Sequence, residues 1–362
     1  MVEPIEIPAL SRVPNRYSKE CRNAAQRYLK ACKNNTDPSF WSVRMYTSLN
    51  IFLSHLEIFS KDVKPSQIVA EKFNNSSEIL ENITKAQIFD YDFNLSDKYG
   101  SEKFESRVSG LFSDIWLDMT DEIYFDQTYE FTFERLKKNN VDPKSFFKDK
   151  IVLDAGCGSG KFSATIAKLG ASKVIGLDIG EHAIKFAQGQ AKKINYGKVL
   201  EFKEGSILDI PLDDNSVDMV WSNGVIHHTT NYDKCVEEFS RVIKPGGTLF
   251  LYVNGFFGLF ELIQDTLRIS NSDIPRDLFQ NYIKSLGVNS GRLYWLMDNL
   301  YAPYEYRSSE DVISLLSRNN FTDIKQLKRG VGIDQIEQVT MQLPYAEEKY
   351  GESQLKFICK RL

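Results

Sequence analysis

The feature that most constrains this chain is the segment IVLDAGCGSGKF at 151–162. An apolar run ends at Asp154, and glycines then stand at alternate positions, Gly156, Gly158 and Gly160. A short apolar run of this kind reads as a strand buried on both faces. Glycine tolerates positive φ and lets a ligand approach the main chain closely. The segment therefore predicts a buried strand, a tight binding loop and a helix, the opening unit of a parallel sheet flanked by helices.

The alternation continues along the chain. Strands are predicted at Lys150–Asp154, Lys173–Asp178, Val199–Lys203, Val217–Ser222 and Gly247–Val253, with helices at roughly Lys161–Leu169, Glu181–Ile194 and Tyr232–Ile243. Ser308-Ser309-Glu310-Asp311 has the form of a capping box opening a helix to Asn319. Phe321–Lys328 and Gln354–Lys360 then bring the sheet to seven strands. Residues 255–300 break the rhythm as an aromatic-rich, mostly helical insertion after the fifth strand. Upstream, residues 17–120 read mainly as helices: Asp37-Pro38 as an N-cap with an N1 proline, the run NNSSEILENITKAQIF, and Gly100–Met119. Residues 1–16 read as a poorly structured arm. The expected organisation is a helical extension over 1–120 and an α/β domain over 121–362 with its insertion. The extension reads equally as a lid, a homodimerisation unit or a plain packed addition.

Composition narrows the partners. The net charge of −4 argues against a general binder of phosphate backbones. Five scattered cysteines form no Cys-x-x-Cys pair and no cluster at metal spacing, so no metal is expected. They read as reduced thiols of a cytoplasmic protein. The start MVEPIEIPAL carries acids where a signal peptide needs bases, and the most apolar run, Thr248–Phe260, is too short to span a bilayer.

Several cofactors use glycine-rich loops, and the details discriminate. A nucleoside-triphosphate loop needs a first glycine where Ala155 stands and a hydroxyl where Phe162 stands. A dinucleotide loop needs a third glycine where Lys161 stands. Asp154 would repel a pyrophosphate, whereas it would attract the ammonium and sulfonium of S-adenosylmethionine. Asp178 ends the second strand, 22 residues after Gly156, where an acid can accept hydrogen bonds from ribose hydroxyls.

DAGCGSG, VIGLDIG, EGSILDIPLDDNSVDMVWSNGVIHH and FSRVIKPGGTLFLY, taken in order, resemble the class I S-adenosylmethionine-dependent methyltransferase family, and within it the branch of ubiquinone and menaquinone ring methyltransferases. The resemblance implies a Rossmann-like seven-stranded methyltransferase sheet and S-adenosyl-L-methionine as cofactor. It implies that Gly156, Cys157, Gly158 and Gly160 line the methionine end, that Asp154 holds the ammonium, and that Asp178 binds the ribose. Ile179 would pack on the adenine and Ser206-Ile207 flank its edge, Ser206 standing where the family often has Asp. Asn223 would lie beside the sulfonium, and Tyr129, in YFDQTYEFTF, would reach the methionine carboxylate.

Methyl transfer is an in-line displacement that needs alignment and exclusion of water, and a base only when the acceptor must lose a proton. Two of the four histidines, His227 and His228, follow the fourth strand and are the candidate catalytic residues. The insertion and LYAPYEYR contribute Trp295, Tyr301, Tyr304 and Tyr306 as candidate acceptor contacts. Lys328 and Arg329 are candidates for meeting an acidic substrate. The main expectation is methylation of a small molecule. Methylation of RNA or protein is the alternative, weakened because Ser222-Asn223-Gly224-Val225 stands where many nucleic-acid amino methylators carry Asn/Asp-Pro-Pro-Tyr/Phe. A non-catalytic S-adenosylmethionine-binding subunit is the third reading.

Overall fold

A computed structural model of the chain describes residues 5–86, 121–332 and 334–362. The helix expected at Gly100–Met119 lies outside the described residues, as do the last three residues of the one expected over NNSSEILENITKAQIF.

Seven strands form one sheet: β1 (Ile151–Ala155), β2 (Lys173–Asp178), β3 (Leu200–Glu204), β4 (Val217–Asn223), β5 (Ile243–Asn254), β6 (Phe321–Gln326) and β7 (Gln354–Arg361). Their order is β3-β2-β1-β4-β5-β7-β6. The first five run parallel, and β7 is antiparallel to both β5 and β6. The chain reverses sheet direction at β1, with β2 on one side and β4 on the other, so the loops after β1 and β4 border one crevice. β5 starts earlier than expected because the Lys244–Gly247 kink, with Gly246 at φ 77°, is held within the strand.

Both faces of the parallel strands are covered, which is why their sequences are apolar runs. On one face Leu153, Val220, Leu249 and Leu251 pack with Val236 and Phe239 of the helix Tyr232–Val242. On the other, Val152, Met219, Trp221 and Phe250 pack with Ile166 and Leu136. Trp221 and Phe250 stack there with centroids 3.6 Å apart. Ser308 and Asp311 form the expected reciprocal cap of the helix Ser309–Arg318.

The chain divides into two compact units. Among the described residues, the sheet unit comprises 121–256, 304–341 and 352–362, and a helical unit comprises 5–86, 257–303 and 342–351. The insertion thus groups with the N-terminal helices. Its helices are Leu259–Ser270, Arg276–Ser285 and Ser290–Leu300. Arg44, 2% exposed, donates from Nη1 to Asp273 Oδ2 at 2.7 Å, and Tyr17 Oη donates to the Gly258 carbonyl at 3.1 Å. The expected N-terminal arm is instead ordered over residues 5–16: Pro8–Arg12 forms a helical turn, and the buried Ala9 N–H is held by Asp265 Oδ2 at 3.1 Å. That contact spans 256 positions, beyond the reach of local sequence reading.

Candidate active site in the sheet unit

The loop after β1 is built by its glycines. Gly156, Gly158 and Gly160 have φ of 78°, 51° and 82°, the left-handed region that side chains disfavour. A Cβ at Gly156 would also collide with Val225, and one at Gly160 would stand 2.8 Å from the Ala187 methyl. The amides of Gly156 and Cys157 both donate to the Leu177 carbonyl, at 2.8 and 2.9 Å, tying the loop to β2. Tyr124 donates from Oη to the Ser159 carbonyl at 2.7 Å and is 1% exposed.

Two carboxylates flank this loop. Asp154 is 2% exposed, and its Oδ2 accepts from Ser163 Oγ at 2.6 Å. Burial pushes its carboxyl up to about 7; the Ser163 hydrogen bond opposes the rise and the Asp178 charge adds to it. Asp178 Oδ2 accepts from the Gly158 amide at 2.8 Å and Oδ1 from the Gly180 amide at 2.9 Å. Burial raises its carboxyl, and the two amides oppose that. Each carboxylate oxygen retains capacity for a further donor. A buried carboxylate whose hydrogen-bond partner is a neutral hydroxyl is stabilised by an arriving cation. The cradle therefore fits an ammonium at Asp154 and hydroxyl donors at Asp178, the donor set of S-adenosylmethionine.

The other expected contacts are distributed as follows. Ile179 is 40% exposed beside Asp178, and Ile207 is buried. Ser206 Oγ accepts from the Leu208 amide at 3.1 Å, so it shapes its own turn. Asn223 ends β4, half-buried, and Gly224 follows at φ 78°. Cys157 is buried, and burial holds its thiol well above the usual range. Tyr129 stacks on Phe133 (5.9 Å) with Lys168 Nζ 4.4 Å over its ring, whereas the tyrosine that holds the loop is Tyr124.

After β4, the short turn Ile226–His228 presents both histidines. His227 is 3% exposed, and its ring lies nearly parallel to Tyr304, 4.9 Å between centroids and 13° between planes. His228 meets the same tyrosine edge-on at 4.2 Å, and Tyr304 stacks in turn on Tyr306 at 5.6 Å. The Glu305 amide donates to the His227 carbonyl at 2.8 Å. Arg307 lies 4.2 Å over the Tyr232 ring and pairs with Asp233 and Glu305. The segment 304–307 is thereby strapped across the β4 loop. Trp295 and Tyr301 belong to the helical unit instead. Trp295 packs on Phe52 at 4.8 Å, and Tyr301 Oη donates to the Ile274 carbonyl at 3.1 Å.

Tyr124, Ser163 and Val225 were not singled out from sequence. Ser163 alone carried a readable signal, because it falls on the first turn of the helix opened by Gly160, on the side facing β1.

Residues 146–277 match the family model described as a methyltransferase domain. The chain is 32% identical over 102 residues to a sterol 24-C-methyltransferase of Saccharomyces cerevisiae, covering 28% of this chain and 27% of that protein. It is 35% identical over 108 residues to a mitochondrial ubiquinone biosynthesis O-methyltransferase of Dictyostelium discoideum, covering 28% and 34%. It is 27% identical over 199 residues to a demethylmenaquinone methyltransferase of Lactobacillus johnsonii, covering 52% and 77%. The matched region spans about a third or less of the first two proteins. With the sheet order and the acid-flanked loop, these matches place residues 146–277 in the class I S-adenosylmethionine-dependent methyltransferase family.

Proposed function

We propose that the protein transfers a methyl group from S-adenosylmethionine to a small-molecule acceptor. The observation that carries the reading is the glycine loop held between two carboxylates, the buried Asp154 and the half-buried Asp178. S-adenosylmethionine, when bound, supplies a methyl already activated by its sulfonium. Asp154 would hold the ammonium, and Asp178 would accept the ribose hydroxyls while its amide bonds keep the loop in place. Gly156, Cys157, Gly158 and Gly160 would border the methionine end, Ile179 and Ser206-Ile207 the adenine, and Asn223 the side facing the reacting carbon.

His227 and His228 stand where β4 ends, and the Tyr304 ring fixes their orientation. Either imidazole would accept the proton that an oxygen or nitrogen acceptor must lose. Tyr304 and Tyr306 would line the acceptor side of the sheet unit. Relatives named for sterol, ubiquinone and demethylmenaquinone methylation support a small-molecule acceptor. Five buried, unpaired cysteines support residence in the reducing cytoplasm. No helix among the described residues is long and apolar enough to cross a membrane.

Calorimetry with S-adenosylmethionine, S-adenosylhomocysteine and NAD tests the cofactor: the first two should bind and NAD should not. Incubation with S-adenosylmethionine and a metabolite extract, read by mass spectrometry for a product heavier by CH2, tests the reaction. Tight NAD binding without binding of the other two would overturn the reading.

A further inference from the structure

Beneath the helix Thr128–Lys138 lies a narrow cavity in the sheet unit, floored by Trp221 and Phe250 and bordered by Asn223, Arg135, Arg329 and Lys356. We propose that this cavity is an anion subsite that takes the carboxylate of a carboxylate-bearing acceptor, a proposal that rests on the methyltransferase reading above.

The first ground is position. Strand register places Asn223, Tyr252 and Lys356 in one row across β4, β5 and β7, at the carboxyl edge of the parallel strands. The row behind it contains Trp221, Phe250 and Ile358, and Trp221 pairs with Asp154 on β1. Asn223 and Lys356, which border the cavity, thus stand at the edge that carries the proposed cofactor loop, on the β5–β7 side of it.

The second ground is charge. Arg135 and Lys356 share one carboxylate, Asp334, at 2.6 and 3.5 Å. Arg329 and Lys138 share another, Glu337, at 2.7 and 3.6 Å. Four cations therefore face two carboxylates. Lys356 is 4% exposed, and burial pushes its ammonium down to about 8; Asp334 opposes that fall and the Arg135 charge adds to it. Arg329 and Lys138 are solvent-exposed, so the imbalance rests on Lys356, which must share Asp334 with Arg135. A buried cation of this kind is stabilised by a further anion.

The third ground is an unused donor. The Trp221 indole Nε1–H is buried and has no hydrogen-bond partner among the described residues, although buried polar groups are normally paired. The cavity measures about 10 Å³, room for one water-sized group such as a carboxylate oxygen. The rest of the acceptor would extend past Asn223 towards the edge.

The test uses the full chain saturated with S-adenosylhomocysteine. Benzoate is titrated by calorimetry against benzamide, its neutral counterpart, and phenyl phosphate. Benzoate should bind at least tenfold more tightly than either, and Lys356→Met, which preserves volume, should weaken benzoate at least tenfold. Equal binding of benzoate and benzamide, no binding of benzoate, or tighter binding of phenyl phosphate would overturn the proposal. Competition between benzoate and S-adenosylhomocysteine would also overturn it, by assigning the cavity to the cofactor's own carboxylate. Should Lys356→Met fail to fold, the wild-type comparison decides. Failure of S-adenosylhomocysteine to bind at all would instead defeat the methyltransferase reading, and the benzoate titration would still report on the cavity.

Discussion

At Asp154 the surroundings move the chemistry far from that of an ordinary carboxylate, with burial lifting its carboxyl to about 7. The sign of its effect on stability follows. Because the folded pKa is raised, its stabilising contribution is full below pH ~4 and is lost as pH rises towards 7. Each unit of that window is worth about 1.4 kcal/mol. Between pH 5 and pH 8 the ligand-free wild type should therefore lose about 2–3 kcal/mol relative to Asp154→Asn, measured by chemical denaturation. An ammonium placed on Asp154 would ionise it, so S-adenosylhomocysteine binding at pH 6.5 should release protons. Calorimetry in buffers of different ionisation enthalpy measures that release, and its persistence in Asp154→Asn would exclude Asp154 as the source. Asp178→Ala should weaken cofactor binding at least tenfold, since each hydrogen bond to a charged group contributes about 1.5–3 kcal/mol. Unchanged affinity in a folded variant would reduce Asp178 to an anchor for the Gly158 and Gly180 amides.

At the scale of elements, the strap 304–307 couples the β4 histidines to the region after the insertion. Tyr304 touches both imidazoles and Tyr306, and each aromatic pair contributes about 0.5–1.5 kcal/mol beyond burial. Tyr304→Ala should lower turnover at least tenfold while cofactor affinity stays within twofold, and Tyr304→Phe, which keeps the stack, should restore most of it. Loss of cofactor binding in a folded Tyr304→Ala protein would mean that the strap supports the cofactor loop instead. The π-helical turn Glu122–Gln127 that carries Tyr124 acts on the glycine loop in a comparable way, through one hydrogen bond to the Ser159 carbonyl.

At the scale of the whole molecule, two units share one chain that crosses between them repeatedly. Trp295 packs inside the helical unit on Phe52 and His55, with Arg292 4.7 Å over its ring. Trp295→Ala should cost about 2–3 kcal/mol of stability, below the 3–5 of a fully buried tryptophan because Trp295 is half-buried. Thermal unfolding and cofactor titration together check this, with cofactor affinity unchanged. In the same unit Asp273→Ala should destabilise by about 1–3 kcal/mol, since it leaves the buried Arg44 with only the Asn35 and Ser270 carbonyls as partners, at a site where Asp273 itself is partly exposed. Arg44→Met should cost less, and the reverse ranking would show that this pair contributes through packing rather than charge.

The sheet and its first loop were legible in the sequence because their determinants are local. An apolar run, a carboxylate and three alternate glycines lie within twelve residues, and the following strands repeat the same signal. Asp154 and Asp178 could be named for the same reason: they stand at or beside the last residue of strands whose position the pattern defines, Asp154 one residue before the end of β1 and Asp178 at the end of β2. Sequence reading named Tyr129 for the methionine carboxylate and did not single out Tyr124; that Tyr124 of the same segment holds the glycine loop depends on how a π-helical turn rotates residues before β1, and that phase is set by packing. Insertion and N-terminal helices formed one unit only in three dimensions, through contacts such as Arg44 to Asp273, 229 positions apart. The cluster of Arg135, Asp334 and Lys356 likewise draws on three distant segments. Local patterning determines strands, helices and tight loops because their hydrogen bonds close within a few residues. Only tertiary structure decides which distant side chains share a buried site, because burial and charge balance depend on the whole packed surface.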